Sequence, residues 1–184
     1  MAKQKTKMRF FTIADYLEEE KWLEQEHKNG WKLVKMTIPC FFVFEECPPE
    51  NAVYKLEYKD ENAAEDYLQM YQDYGWDYLG SCWGWNYFRK IVVEGEDEND
   101  KEIFSDTESK ITMINHILKT RMWILLVIFC VIIILNIRHS MFRKFGFVSI
   151  VGLIYLILFI LYLYLLIHSG LKLRKIKKDL LKKE

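Results

Sequence analysis

Two apolar runs near the C-terminus dominate the pattern of the chain. Residues 122–137, MWILLVIFCVIIILNI, carry no charge, and after a short basic turn neither do residues 145–167, FGFVSIVGLIYLILFILYLYLLI. A bilayer core about 30 Å thick needs about 20 apolar residues to cross it as a helix, with about 17–25 usual. The second run fits that length. The first is extended by Thr120 and by the long side chains of Arg121 and Arg138, which can reach outward to the interface. The pattern predicts a two-helix transmembrane hairpin, with a juxtamembrane helix and first span over 106–138, a turn at 139–144 and a second span over 145–168. Two core helices of a soluble domain are the alternative, which run length disfavours.

Upstream the period shortens and repeats. Slid by 45 residues, WLEQEHKNGWKLV lies over YLQMYQDYGWDYL without a gap: Glu20 meets Glu65, Leu23 meets Leu68, Gly30 meets Gly75 and Trp31 meets Trp76. Each copy reads strand, helix, strand, strand. In the first, residues 9–13 (RFFTI) are β-rich, and residues 16–28 place Tyr16, Leu17, Trp22 and Leu23 among charges, as a surface helix with one buried stripe does. Gly30 ends that helix, and strands follow at 31–37 and 41–46. In the second copy the strands fall at 53–59, 76–80 and 85–90 and the helix at 63–73. Six short strands and two helices predict an α+β head over residues 1–92. Its expected form is a tandem β-α-β-β repeat building an antiparallel sheet with two helices on one face. It resembles the tandem module of GyrI-like effector-binding domains, with a ferredoxin-like arrangement as the near alternative.

Between head and membrane, residues 93–105 contain the acidic linker EGEDEND. Ser105 and Glu108 form a capping box, so a helix is expected from about Asp106. It either continues into the first span as a stiff rod or begins at the membrane surface beneath a loose head. After the second span, residues 169–184 alternate Leu171, Leu173, Ile176, Leu180 and Leu181 with seven cations. This basic amphipathic tail is expected to lie on the inner leaflet, where each Lys or Arg adds about 1 kcal/mol, with contact to the acidic head or linker as the alternative.

The net charge of zero conceals an asymmetry. Residues 1–110 hold 14 Lys+Arg against 24 Asp+Glu, and residues 111–184 hold 12 against 2. An acidic head disfavours direct nucleic-acid binding, which needs clustered cations. Ten cations flank the hairpin on the side of the head and tail, namely Lys110, Lys119, Arg121, Lys172, Arg174, Lys175, Lys177, Lys178, Lys182 and Lys183. Three, Arg138, Arg143 and Lys144, lie in the turn. The positive-inside rule then places both termini in the cytoplasm of a multi-pass protein of the cell membrane. No stretch near the N-terminus has the apolar core of a signal peptide. Cys40, Cys47, Cys82 and Cys130 lack metal-binding spacing and read as reduced thiols, with contact between Cys40 and Cys82 across related hairpins as a possible pairing.

Neither span is interrupted by Asp, Glu, Lys or Arg, so independent transport is not expected. His27, His116, His139 and His168 fall in no catalytic motif, no phosphate-binding loop is present, and no enzyme activity, metal or cofactor is expected. Glu18, Glu19 and Glu20 read as a solvated helix face. What stands out is aromatic density: Phe42, Phe44, Tyr54, Tyr58, Trp76, Tyr78, Trp83, Trp85 and Tyr87 lie on or beside strands. Such rings serve a small domain as core. The rival reading is a groove between the repeats in which Phe42, Phe44, Tyr54, Tyr58, Trp83, Trp85 and Tyr87 face a small amphiphilic cation that pairs with Glu46 or Glu57.

The segments NGWKL, YGWDYLG, WNYFRK and EIFSDTESKI, with RFFT, FFVFEE and VYKLEYKD, resemble the bacterial domain-of-unknown-function family 2812 from about Arg9 to Lys110. The resemblance implies a hydrophobic C-terminal region and a gene beside PadR-type transcriptional regulators. It implies no activity, cofactor or catalytic residue. The expected role is therefore a membrane-tethered cytoplasmic sensor or adaptor that binds a small ligand or a protein such as a PadR-type regulator. An accessory structural subunit of a transporter-type membrane complex is the alternative.

Overall fold

A computed structural model describes residues 3–37, 40–59, 65–92, 107–124, 127–128, 130–131 and 148–182. The chain forms two compact units, Met1–Met113 and Ile114–Glu184.

The first unit is mixed α and β. Its elements are β1 (Gln4–Met8), α1 (Tyr16–Lys28), β2 (Trp31–Thr37), β3 (Phe41–Glu46), β4 (Ala52–Tyr58), α2 (Glu65–Asp73), β5 (Asp77–Cys82) and β6 (Trp85–Ile91). The strands make two antiparallel three-stranded sheets, ordered β1-β3-β2 and β4-β6-β5. The two copies of the repeat thus share one topology. They also share details that lie 45 residues apart. A β-bulge falls between Leu33 and Lys35 and again between Tyr78 and Gly80. Gly30 and Gly75 close their helices with φ of +83° and +81°, a region glycine enters without a Cβ penalty. At Gly30 a Cβ would also meet the Cys47 carbonyl oxygen at 3.1 Å.

Three expectations are corrected. The strands do not form a single sheet with both helices on one face. Helix α1 packs against both sheets, while α2 covers the opposite face of the second sheet. The register shows why. Trp85 and Tyr87 point from β6 toward α1, whereas Phe88, the residue after Tyr87, points toward α2, where it meets Tyr71 with ring centroids 4.8 Å apart. The first strand is Gln4–Met8 rather than residues 9–13. Its inward side chains are Lys5 and Lys7, opposite Phe44 and Phe42, so no apolar alternation marks it. Their ammonium groups reach Glu26 at 3.1 and 2.5 Å. Finally, Glu19 and Glu20 are buried rather than solvated, while Glu18 is exposed.

The core has two layers. Against the first sheet, Trp22 meets Phe42 and Phe44 edge-on at 5.0 and 5.5 Å, with Leu23 and Leu33 buried beside them. Beyond the second sheet, Tyr71, Trp76 and Phe88 cluster with Val53, Tyr67, Leu68 and Tyr78.

The second unit begins inside α3 (Thr107–Ile117), and the capping box at Ser105 lies outside the described residues. A π-helical turn, Leu118–Met122, follows, and helical backbone is seen at 123–124, 127–128 and 130–131. The acidic linker, most of the first apolar run and the turn at 139–144 lie outside the described residues. Helix α4 (Val148–Leu181) is continuous. Its 34 residues span about 51 Å at 1.5 Å each, longer than a bilayer core. The basic tail is therefore an unbroken extension of this helix, and Lys177 donates to Asn115 of α3 at 2.8 Å. Among the described residues one helix, Ile157–Leu181, is long and apolar enough to cross a membrane.

Candidate functional site

Helix α1 organises the polar interior of the head. Its stripe Tyr16, Glu20, Leu23 and His27 recurs at three- and four-residue spacing and faces inward. Tyr16 stacks on Trp85 at 5.3 Å. Strand β4 is a sheet edge, and alternate N–H groups along it would be unpaired without help from outside the sheet. Tyr54 N donates to Glu24 Oε1 at 3.4 Å, Leu56 N donates to Glu20 Oε1 at 2.8 Å, and Tyr58 N meets Met113 Sδ at 3.4 Å. Two helix carboxylates and one thioether thus close the edge to strand addition. Lys55 lies 3.8 Å from the same Glu20.

The flanks of the stripe hold further polar contacts. Tyr87 Oη donates to Glu19 Oε1 at 2.7 Å. Burial, only partly offset by that hydrogen bond, pushes the Glu19 carboxyl up to about 7, with the Asp15 charge adding to the rise. Tyr54 is fully buried, and its hydroxyl sits 2.8 Å from His27 Nδ1 and 3.2 Å from Leu33 N, which donates to it. Burial holds His27 below its ordinary value, and the Arg89 charge adds to the effect. For Glu26, burial is the largest single influence and opposes the charge. Lys7 and Lys5 together outweigh it and hold the carboxyl low.

A second cluster lies under α2. Tyr67 Oη donates to Glu57 Oε2 in a short hydrogen bond, and the Tyr67 and Tyr71 hydroxyls are 3.1 Å apart. Burial raises Glu57 despite its hydrogen bond from Tyr67. Asn86 is buried opposite Glu57, and its Nδ2 has no partner among the described residues. Among those residues no group of three or more His, Cys, Asp or Glu stands close enough to hold a metal.

The eight residues expected to line an aromatic groove fall in four places. Phe42 and Phe44 are core under Trp22. Tyr54, Tyr58, Trp85 and Tyr87 are buried on the α1 side of the second sheet. Glu46 is exposed at the end of β3. Trp83 is 66% exposed at the tip of the β5–β6 hairpin. The buried rings fill the interior, and only Trp83 and Glu46 of the set reach the surface. The site reading missed Glu19, Glu20, Glu26 and His27. The signal for them was the helical spacing of Tyr16, Leu23 and His27, which marks the inward face whatever residues fill it.

Trp83 and Gly84 both have positive φ, +54° and +83°, as a two-residue type I′ turn requires. Asn, not Trp, is the residue that tolerates the first position. Trp83→Asn is expected to raise head stability by about 1 kcal/mol in denaturant unfolding. A fall of that size would show that the indole makes contacts worth more than the strain.

Cys40, Cys47, Cys82 and Cys130 are free thiols. Burial raises the Cys82 thiol most, followed by the charges of Glu19 and Cys40.

No curated protein and no solved structure matches the chain. A family model does match, described as protein of unknown function (DUF2812), over residues 15–128, which takes in most of the head and the start of the first apolar run. The chain belongs to the DUF2812 family.

Proposed function

We propose that this chain is a membrane-tethered binding module, a sensor or adaptor whose head and both termini face the cytoplasm and whose two apolar segments cross the cell membrane as a hairpin. The observation that carries the reading is the surface of α4. Ile157, Leu158, Ile160, Leu161, Leu163, Tyr164 and Ile167 are all exposed. At 100° per residue they spread over more than half of the helix circumference. A water-facing helix keeps one apolar stripe and turns it inward. An apolar surface this broad is suited to lipid. Trp123, Ile124, Val127, Ile128 and Val131 extend the exposed apolar surface on the first segment, and the cations that flank both segments support the orientation.

Recognition then falls to the surface of the head, because all the rings of the set except Trp83 are interior. A PadR-type transcriptional regulator is the partner that the family resemblance suggests, and recruitment or sequestration at the membrane is the mechanism.

Full-length protein is expected to remain with membranes through an alkaline carbonate wash, and the unit 1–113 to stay in the supernatant. Both should recover the same regulator by affinity purification from the native host. Recovery of a membrane complex by the full chain alone would instead favour an accessory subunit. Release of the full chain by carbonate would overturn the tethering.

A further inference from the structure

The second unit carries a groove of about 680 Å³ between its two helices. One wall contains Lys119 and Trp123, and the other Leu166, Ile167, Gly170 and Arg174. The helices run antiparallel here, since Asn115 is bonded to Lys177 and the next levels bring residues 118–123 beside 166–174. The two cations therefore share one end of the groove, and the apolar residues continue from them in the same direction along both helices. Lys119 also lies in the π-helical turn Leu118–Met122. Such widened turns are frequent at functional sites. Across from it Gly170 has no side chain to fill the space.

This arrangement divides as a phospholipid does, with charge at one end and an apolar channel beyond. A guanidinium grips a phosphate through paired N–H donors, and an ammonium adds a point charge. Trp123 lies one helical turn beyond Lys119, on the apolar side, where an amphipathic ring suits the headgroup boundary. A free phosphate ion would engage the charged rim and leave the apolar channel unused. Residues 111–184, with 12 Lys+Arg against 2 Asp+Glu, favour an anionic headgroup.

We infer that the groove binds one anionic phospholipid, with its phosphate between Lys119 and Arg174 and an acyl chain along Trp123, Leu166 and Ile167. The inference rests on the membrane reading above.

The test uses the full chain in nanodiscs of phosphatidylcholine containing increasing fractions of phosphatidylglycerol, with bromine on the acyl chains of one lipid at a time. Quenching of Trp123 is read as the difference from Trp123→Phe. Half-quenching is expected at a mole fraction at least about tenfold lower for brominated phosphatidylglycerol than for brominated phosphatidylcholine. Lys119→Gln with Arg174→Gln should bring the two lipids within about twofold. Lys175→Gln with Lys178→Gln removes the same charge from exposed positions outside the groove and should leave the preference intact. Equal quenching by both lipids in the native chain overturns the site, as does equal loss in the two double variants. Those outcomes leave tethering standing, whereas a chain that fails to enter nanodiscs and is released by carbonate overturns tethering and the site together.

Discussion

Replacing Phe44 by alanine is expected to destabilise the head by about 3–5 kcal/mol. Phe44 is fully buried at the centre of β3, the middle strand of the first sheet. Its ring faces Trp22 edge-on at 5.5 Å, and the Lys5 ammonium lies 5.8 Å from its centroid. Truncation leaves a cavity under α1 that the rings around it cannot close without leaving their rotamers. Domains of this size are stable by about 5–15 kcal/mol, so the loss is about a fifth or more of the total. The neighbour Phe41 points to the other face and is 37% exposed, so Phe41→Ala should cost less than about 1 kcal/mol. Denaturant unfolding of the full chain in detergent, followed by tryptophan fluorescence, measures both. Equal losses at the two positions would contradict the layering of the first sheet.

The second large effect is a pH dependence centred on Glu19. Its carboxyl titrates at about 7 in the folded head, against an ordinary value of 4.5. The folded state therefore holds the proton more tightly than the unfolded chain. The resulting stability is fully present below pH 4.5 and is lost as pH rises through 7, a change of about 3 kcal/mol. Glu24 and Glu57, both raised chiefly by burial, lean the same way. Glu26 is held low and His27 is lowered, so both lean the other way, each losing stability as pH falls. The measurement is accordingly the difference between the native chain and Glu19→Gln. Gln mimics the protonated acid and still accepts from Tyr87. The variant should match the native head near pH 4.5 and exceed it by about 3 kcal/mol at pH 8. Parallel profiles across that window would mean that Glu19 is not desolvated as the packing implies.

Much of the head is legible from local pattern. The bounds of α1, β2 and β3 follow from residue periodicity and from the glycine that must end the helix. The 45-residue repeat anticipates a shared topology and reaches the paired bulges at Leu33 and Tyr78. β1 was not legible, because an edge strand whose inward residues are lysines has no apolar alternation. Its lysines become acceptable interior neighbours only when Glu26, 21 residues from Lys5 along the chain, arrives to neutralise them. The choice between core and groove for the aromatic residues was open for a related reason. Aromatic residues announce burial without saying whether they face a cavity or one another, and here they face one another.

Local periodicity, hydrophobic run length and the sign of charge determined, without any structure, the repeat, most elements of the head and an apolar helix of membrane-spanning length. These depend on neighbours within a turn or a strand. Only the tertiary structure decided that the strands divide into two sheets, that α1 serves both, and that Glu19, Glu20 and His27 turn inward. It also decided that Lys119 and Arg174, distant in sequence, line one groove. The reason is that a carboxylate or a cation on a helix suits water as well as it suits a buried partner. The choice is made by the N–H, phenol or ammonium groups that distant segments bring to it.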